Sequence, residues 1–299
     1  MDPISSGLLN TQYFVAEVIR ELNNVTGGLR NYTNNQGIIT GNQVRWSVAD
    51  IDAIASEVNA GSPIVGRELL ADTATATLAE YDDAVFLHGF NLNSTNSAPS
   101  LRALAAKSVA RSLENRFTDL LLTEMMNYDD VDMELGSSTE SFDVDVFIDL
   151  NRKADDANWG YNNRFLLLPP VAKQTLLQDE DFKKTWNEFN GAQVISSYES
   201  MQDNEESIRF VNFRGFNVGF MGVKGGQNKT GLPIASDTSV MGFAWKPQFV
   251  GFARNSDLTV DVSERKDLRG MPMQFYSKGT AGVKMISTSG VIGIKLANN

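Results

Sequence analysis

Residues 99–127 read PSLRALAAKSVARSLENRFTDLLLTEMMN, with no glycine and, after the first position, no proline. Ala105, Ala106, Val109, Ala110, Leu113, Phe117, Leu120 and Leu121 recur at helical spacing. Lys107, Arg111, Glu114, Asn115, Thr118 and Asp119 fall opposite. Ser97 suits an N-cap and Pro99 a first helical position. The pattern predicts an amphipathic helix roughly 40 Å long at ~1.5 Å per residue, about the width of a domain. Such a helix acts as a beam. Sheets and loops are expected to hang on it.

Upstream, residues 1–26 read as a short helix with Phe14, Val15, Val18, Ile19 and Leu22 on one side, stopped by Gly27 and Gly28. RNYTNNQG follows as a flexible or extended arm. Residues 38–80 hold strand-like pieces broken by glycine and proline, with ADIDAIASEV as a short helix between them. They form an excursion without its own core. It needs something to lie on, either a neighbouring subunit or its own domain.

Downstream, Phe142–Asn158 is a second amphipathic helix. Arg164–Leu168 reads as a buried strand, and Pro169-Pro170 closes it and opens a helix, VAKQTLLQD. Strand signals cover Ile208–Phe213, Phe216–Val223 and most of the chain from Met241 onward. Helix, strand and helix in succession describe a layered α+β unit.

Composition narrows the function. The chain has 299 residues, 42% hydrophobic and 21% charged, no cysteine and one histidine. Disulfides, thiol nucleophiles, thiolate metal sites and multi-histidine zinc sites are excluded. No apolar run is long enough to span a membrane, and no basic signal region precedes the first apolar residues. Net charge is −11, and the first hundred residues carry four basic and eleven acidic side chains. A sequence-independent nucleic-acid binder needs a basic stripe, and none is visible.

Candidate chemical motifs fail on spacing. Asp130, Asp132 and Glu134 alternate as in a calcium loop. Leu135 stands where glycine is required and Ser141 where a bidentate glutamate is required, so a solvated acidic turn is expected. GGQNKTG lacks phosphate-loop spacing, and Gly231-Leu232-Pro233 follows where a helix should begin. His88 ends an apolar strand and reads as structural. Asp82-Asp83 and Asp155-Asp156 read as solvated turns. The sequons at Asn24, Asn31 and Asn228 lack a secretory context. Trp46, Trp159, Trp186 and Trp245 are dispersed, as core or interface anchors are.

The order of elements resembles the major capsid proteins of tailed bacteriophages, which have the Hong Kong 97-like fold. Asp149-Leu150, Ala154, Ala157-Asn158 and Asn163-Arg164-Phe165-Leu166-Leu167-Leu168-Pro169-Pro170 look like that family's helix, loop and strand. Asn212-Phe213-Arg214-Gly215-Phe216-Asn217-Val218 resembles the opening of its next strand. Met241-Gly242-Phe243-Ala244 and Gly270-Met271-Pro272-Met273-Gln274-Phe275-Tyr276-Ser277-Lys278-Gly279 resemble its closing strands. The resemblance covers nearly the whole chain, and order and spacing carry it.

It implies an N-terminal arm at 1–37, an extended E-loop at 38–80 and a peripheral domain at 81–141 and 244–284 with a spine helix at about 99–127. The axial domain would be 142–243 and 285–299. The implied function is a non-enzymatic shell subunit of the virion, assembled in the bacterial host cytoplasm. It would form pentamers and hexamers around double-stranded DNA that it encloses without specific binding. Portal, scaffolding and cement or decoration proteins are the implied partners, with no cofactor, metal or membrane. By residue type and place, Arg45, Trp46, Arg67 and Glu68 are the expected subunit contacts, and Lys107, Arg111 and Glu114 an inner-wall surface.

The first lysine is Lys107, so residues 38–80 cannot supply the lysine that welds subunits in some family members. No long charged helical prefix precedes the arm, so no fused scaffolding segment is expected. An encapsulin-type shell around cargo protein has the same fold. A carboxylate-dependent hydrolase is the alternative from another class.

Overall fold

The computed structural model describes residues 28–49, 71–87, 98–129, 131–185, 187, 210–224, 230–254, 259–269 and 273–297. The readings made for residues 1–26, ADIDAIASEV, Arg67, Glu68, His88, Ser97, Trp186, the GGQN of the glycine-rich loop and the Lys107 side chain lie outside them. In chain order the strands and helices are β1 (Ile38–Thr40), β2 (Gln43–Ala49), β3 (Ala71–Thr77), β4 (Ala79–Leu87) and α1 (Ala98–Met125). Then come β5 (Glu134–Gly136), α2 (Val144–Asp156), β6 (Arg164–Leu168), α3 (Pro170–Leu176), β7 (Val211–Phe213) and β8 (Phe216–Phe220). The chain closes with β9 (Val240–Trp245), β10 (Val250–Arg254), β11 (Thr259–Glu264), β12 (Met273–Met285) and β13 (Val291–Leu296).

β6 is buried at every position, as a central strand covered on both faces must be. It lies inside a six-stranded sheet of order β5-β13-β9-β6-β8-β7. Side-chain alternation on β6 separates two cores. Leu166 and Leu168 join Phe147, Leu150 and Ala154 of α2 and Ala172 and Leu176 of α3. Phe165 and Leu167 join Phe243 and Trp245 of β9 and Leu113, Phe117 and Leu121 of α1. A sequence that alternates Phe, Leu, Leu, Leu between two apolar layers can sit nowhere but in the middle.

Local signals set the borders. The Asp143 side chain caps α2 by accepting from the Val146 amide at 3.0 Å, and Pro170 opens α3. β7 and β8 are joined by Arg214-Gly215, both with positive φ (45° and 88°), as a two-residue hairpin of primed type requires.

The second sheet is organised by β12. One edge pairs with β4 along residues 273–281, and the other takes β11 and then β10 end to end. The beam α1 packs on β4 and β12. The third sheet, β1-β2-β3, is a small ribbon. β5 and all of β9 belong to the six-stranded sheet.

Two expectations about α1 and the arm are corrected. Glu114 and Thr118 are buried, at 4% and 6% exposure, rather than wetted. The segment Leu29–Tyr32 packs against α1 and brings Arg30 to Glu114. Residues 28–34 are not a free arm either. The Asn34 amide donates to the Val250 carbonyl at 2.8 Å, Phe252 donates to Asn34 at 3.0 Å, and Tyr32 stacks among Phe165 and Phe210. Such non-local bonds outweigh the polar local sequence.

Candidate functional site

Trp46 is where the ribbon meets the body. β2 alternates, with Val44 and Trp46 buried and Gln43, Arg45 and Ser47 exposed. The indole packs with Val44 and Ala253 in a small third core and donates to the Asn34 carbonyl at 3.2 Å. Gly37 and Gly251 make room for it. A Cβ on Gly251 would lie 2.5 Å from Cε2, and one on Gly37 would lie 2.8 Å from Cε2 and Nε1.

Among the four expected contact residues, Trp46 is therefore committed to its own chain. Arg45 is exposed, pairs in register with Ile38 and Thr75, and shares the wetted side of the ribbon with them. Ile38 is 67% exposed, a large apolar side chain next to a cation on an otherwise polar strip. Arg67 and Glu68 lie outside the described residues.

A charged cluster that no local pattern signals lies beneath the ribbon's root. Arg30 Nε lies 3.0 Å from Glu114 Oε2. Burial pushes the Glu114 carboxyl above its ordinary value, opposed by Arg30 and then Arg254. Burial, with Arg30 nearby, lowers the Arg254 guanidinium, and Glu114 counters. Gly28 gives the carboxylate its space, since a Cβ there would fall on Glu114 Oε1. Two cations thus share one carboxylate, the one buried acid among the described residues.

The acidic stretch after α1 is not simply solvated. Glu134 accepts from the Tyr128 hydroxyl at 2.8 Å and pairs with Lys295 at 2.9 Å, and Lys153 donates to the Asp132 carbonyl at 2.8 Å. Among the described residues no three potential ligands cluster as a metal site, and no helix is long and apolar enough to cross a membrane. The other side of α1 is covered in part, since Lys224 pairs with Asp119 at 2.7 Å and Thr230 donates to the Asn115 carbonyl at 3.2 Å.

Arg164 explains the wording before β6. It is fully buried and donates to Asp155 at 2.6 Å, to the Gly160 carbonyl at 3.1 Å and to the Trp159 carbonyl. It pins the loop between α2 and β6, with the Tyr161 and Phe216 rings against its guanidinium.

No family model matches the chain, and no curated protein matches it. Solved structures do. The capsid of a native GTA particle superposes with a TM-score of 0.60 at 11% identity, over 91% of this chain and 90% of that one. The capsid of Ralstonia phage GP4 gives 0.59 at 12% identity, over 86% and 84%. A virus-like particle from Pyrococcus furiosus gives 0.53 at 13% identity, over 95% and 98%. At such identities the likeness is one of fold. The chain has the α+β Hong Kong 97-like capsid fold.

Proposed function

We propose that this protein is a capsid shell subunit that associates with copies of itself, with no enzymatic role. The observation that carries this is the likeness of fold over about nine-tenths of both chains to the capsids of a GTA particle and of phages. In this reading it forms pentamers and hexamers of an icosahedral phage head, resides in the virion, and encloses double-stranded DNA without gripping it. A net charge of −11 suits that last task. Portal, scaffolding and decoration proteins complete the proposed partners.

The same reading assigns the ribbon and its continuation, 38–80, as an E-loop lying on a neighbour, and 1–37 as the N-terminal arm, of which residues 28–34 form the anchored end. The β12 sheet with α1 is the peripheral domain, near 81–141 and 244–284. The six-stranded sheet with α2 and α3 is the axial domain, near 142–243 and 285–299. Arg45, beside exposed Ile38, is the proposed contact on the ribbon, together with Arg67 and Glu68 farther along it. The likeness to the virus-like particle supports a second reading, a shell around cargo protein.

Size and contents test both. The expressed protein should elute as megadalton particles that electron micrographs show as closed shells, holding nucleic acid on the first reading and protein on the second. A 33 kDa species with no assembled form under any condition would refute a shell role.

A further inference from the structure

Beside the buried cluster lies an open cleft of about 220 Å³, bordered by Arg30, Asn31, Asn35, Ile39, Phe252 and Arg254. Its electrostatics are unbalanced. Arg30 and Arg254 both face the single Glu114 carboxylate, Arg30 at 3.0 Å, and Arg254 Nη1, like the two Glu114 oxygens, is buried without a hydrogen-bond partner. A guanidinium carries five donors, and taking them from water without acceptors is costly. Arg254 sits at the end of β10, beside Ala253, which packs against Trp46. Ile39, 39% exposed, offers an apolar wall.

We propose that this cleft receives an aspartate or glutamate side chain from a second copy of the chain, its carboxylate closing on Arg254 as the missing counter-charge of the Arg30–Glu114–Arg254 cluster. The inference rests on the shell reading and deepens it by naming the chemistry of one contact. The cleft has room for one side chain, with a polar end for a carboxylate and an apolar wall for its methylenes. The donors of the occupant are plentiful, since the chain has 37 carboxylates against 26 cations. A duplex phosphate fits less well. Nucleic acid is held by a row of cations on a surface, and this is a single recessed pair in an acidic protein. The contact also lies at the root of the ribbon, so occupancy by a neighbour would fix the ribbon's base while its tip reaches elsewhere.

The test compares wild type with Arg254→Ala and Arg254→Lys, first as unassembled subunits and then as particles. The ε-amine introduced by Arg254→Lys is coupled with a water-soluble carbodiimide in particles grown from a mixture of ¹⁵N-labelled and unlabelled subunits. Mass spectrometry should find the peptide holding position 254 joined to an aspartate- or glutamate-containing peptide of the other label. The Arg254→Ala subunit loses one of the two cations beside Glu114, so its association is compared with wild type at a temperature where thermal melting shows both unassembled subunits folded. Its association should weaken roughly tenfold or more, the loss expected when one partner of a desolvated charge pair is removed, and its shells should dissociate at lower salt. Shells of Arg254→Ala as salt-resistant as wild type, or a cross-link confined to one label, would overturn the inference and leave the shell reading intact. Resistant shells that hold less nucleic acid would overturn it in favour of a phosphate. A wild-type chain that never assembles would remove both.

Discussion

Alanine at Gly251 is expected to unseat Trp46 and loosen the ribbon without disturbing the two main cores. A methyl on Gly251 falls 2.5 Å from Cε2, 2.7 Å from Cδ2 and 2.8 Å from Cζ2 of the indole. Carbon atoms rest at ~3.5 Å or more, so the ring must retreat by roughly 1 Å. The strand cannot yield instead. Gly251 faces Lys284 in the β10–β12 ladder, and its neighbours Val250 and Phe252 are both hydrogen-bonded to Asn34. The indole already abuts Gly37. Retreat also stretches its 3.2 Å bond to the Asn34 carbonyl.

Overpacking of this kind costs about 1–3 kcal/mol, and a lost hydrogen bond adds ~1 kcal/mol. Removing the whole indole in Trp46→Ala costs about 3–5 kcal/mol and sets the upper bound. Once the ring is gone the methyl has room, so Gly251→Ala should add almost nothing to Trp46→Ala, a coupling of roughly 2 kcal/mol in a double-mutant cycle. Urea unfolding of the unassembled subunit by circular dichroism gives the energies, and hydrogen exchange of the β2 amides locates them. A Gly251→Ala cost below ~0.5 kcal/mol, or additivity with Trp46→Ala, would refute the packing account.

Three further outcomes are expected. Particles boiled in denaturant should resolve on a gel as monomers, because the chain has no cysteine and residues 38–80 no lysine; a ladder of oligomers would contradict that. Arg164→Ala should destabilise the subunit by about 3–5 kcal/mol by thermal melting, and Arg164→Lys should recover less than half, since an ammonium cannot reach Asp155 and two carbonyls at once. Burial holds the Glu114 carboxyl above its ordinary 4.5. The neutral form is favoured in the folded state, so its contribution is full below 4.5 and fades as pH rises through the raised value. The stability of wild type relative to Glu114→Gln should fall as pH rises above 4.5, and a flat difference would argue against it.

The parts of the fold legible in the sequence are those whose cause is local. Residues 98–125 carry a helical apolar stripe, 164–168 an uninterrupted buried run, and Pro170 marks a helix start. The order of these elements was enough to suggest the capsid fold. What escaped was set by contacts far apart in the chain. Glu114 occupies a position that a helical wheel assigns to water. It is buried because Arg30 and Arg254, each distant in sequence, converge on it. The polar string RNYTNN hides two buried anchors, Leu29 and Tyr32, and backbone bonds to β10 that no periodicity reveals. The nearest thing to a signal was glycine, since Gly28 and Gly251 stand where a larger residue would strike Glu114 and Trp46.

Those two glycines also bear on how the subunit divides its stability. The two main cores hold α1, α2 and the six-stranded sheet through many buried side chains, whereas the third holds the ribbon through Val44, Trp46 and Ala253. β1 is exposed along its length. An element with so little buried apolar surface opens locally at a small fraction of the cost of global unfolding. Trp46 is the largest side chain in that attachment, and the three described tryptophans act alike. Trp46, Trp159 and Trp245 each donate to a backbone carbonyl of another segment, on Asn34, Ser289 and Tyr32. Two of those carbonyls lie within residues 32–34, so the short segment between arm and ribbon is tied at once to the β12 sheet, the six-stranded sheet and the ribbon. For a chain proposed to lay its ribbon on a neighbour, this gives a rigid root and a weakly held blade. Strain on the blade would be borne at Trp46 and at the Arg254 cleft before it reached either main core.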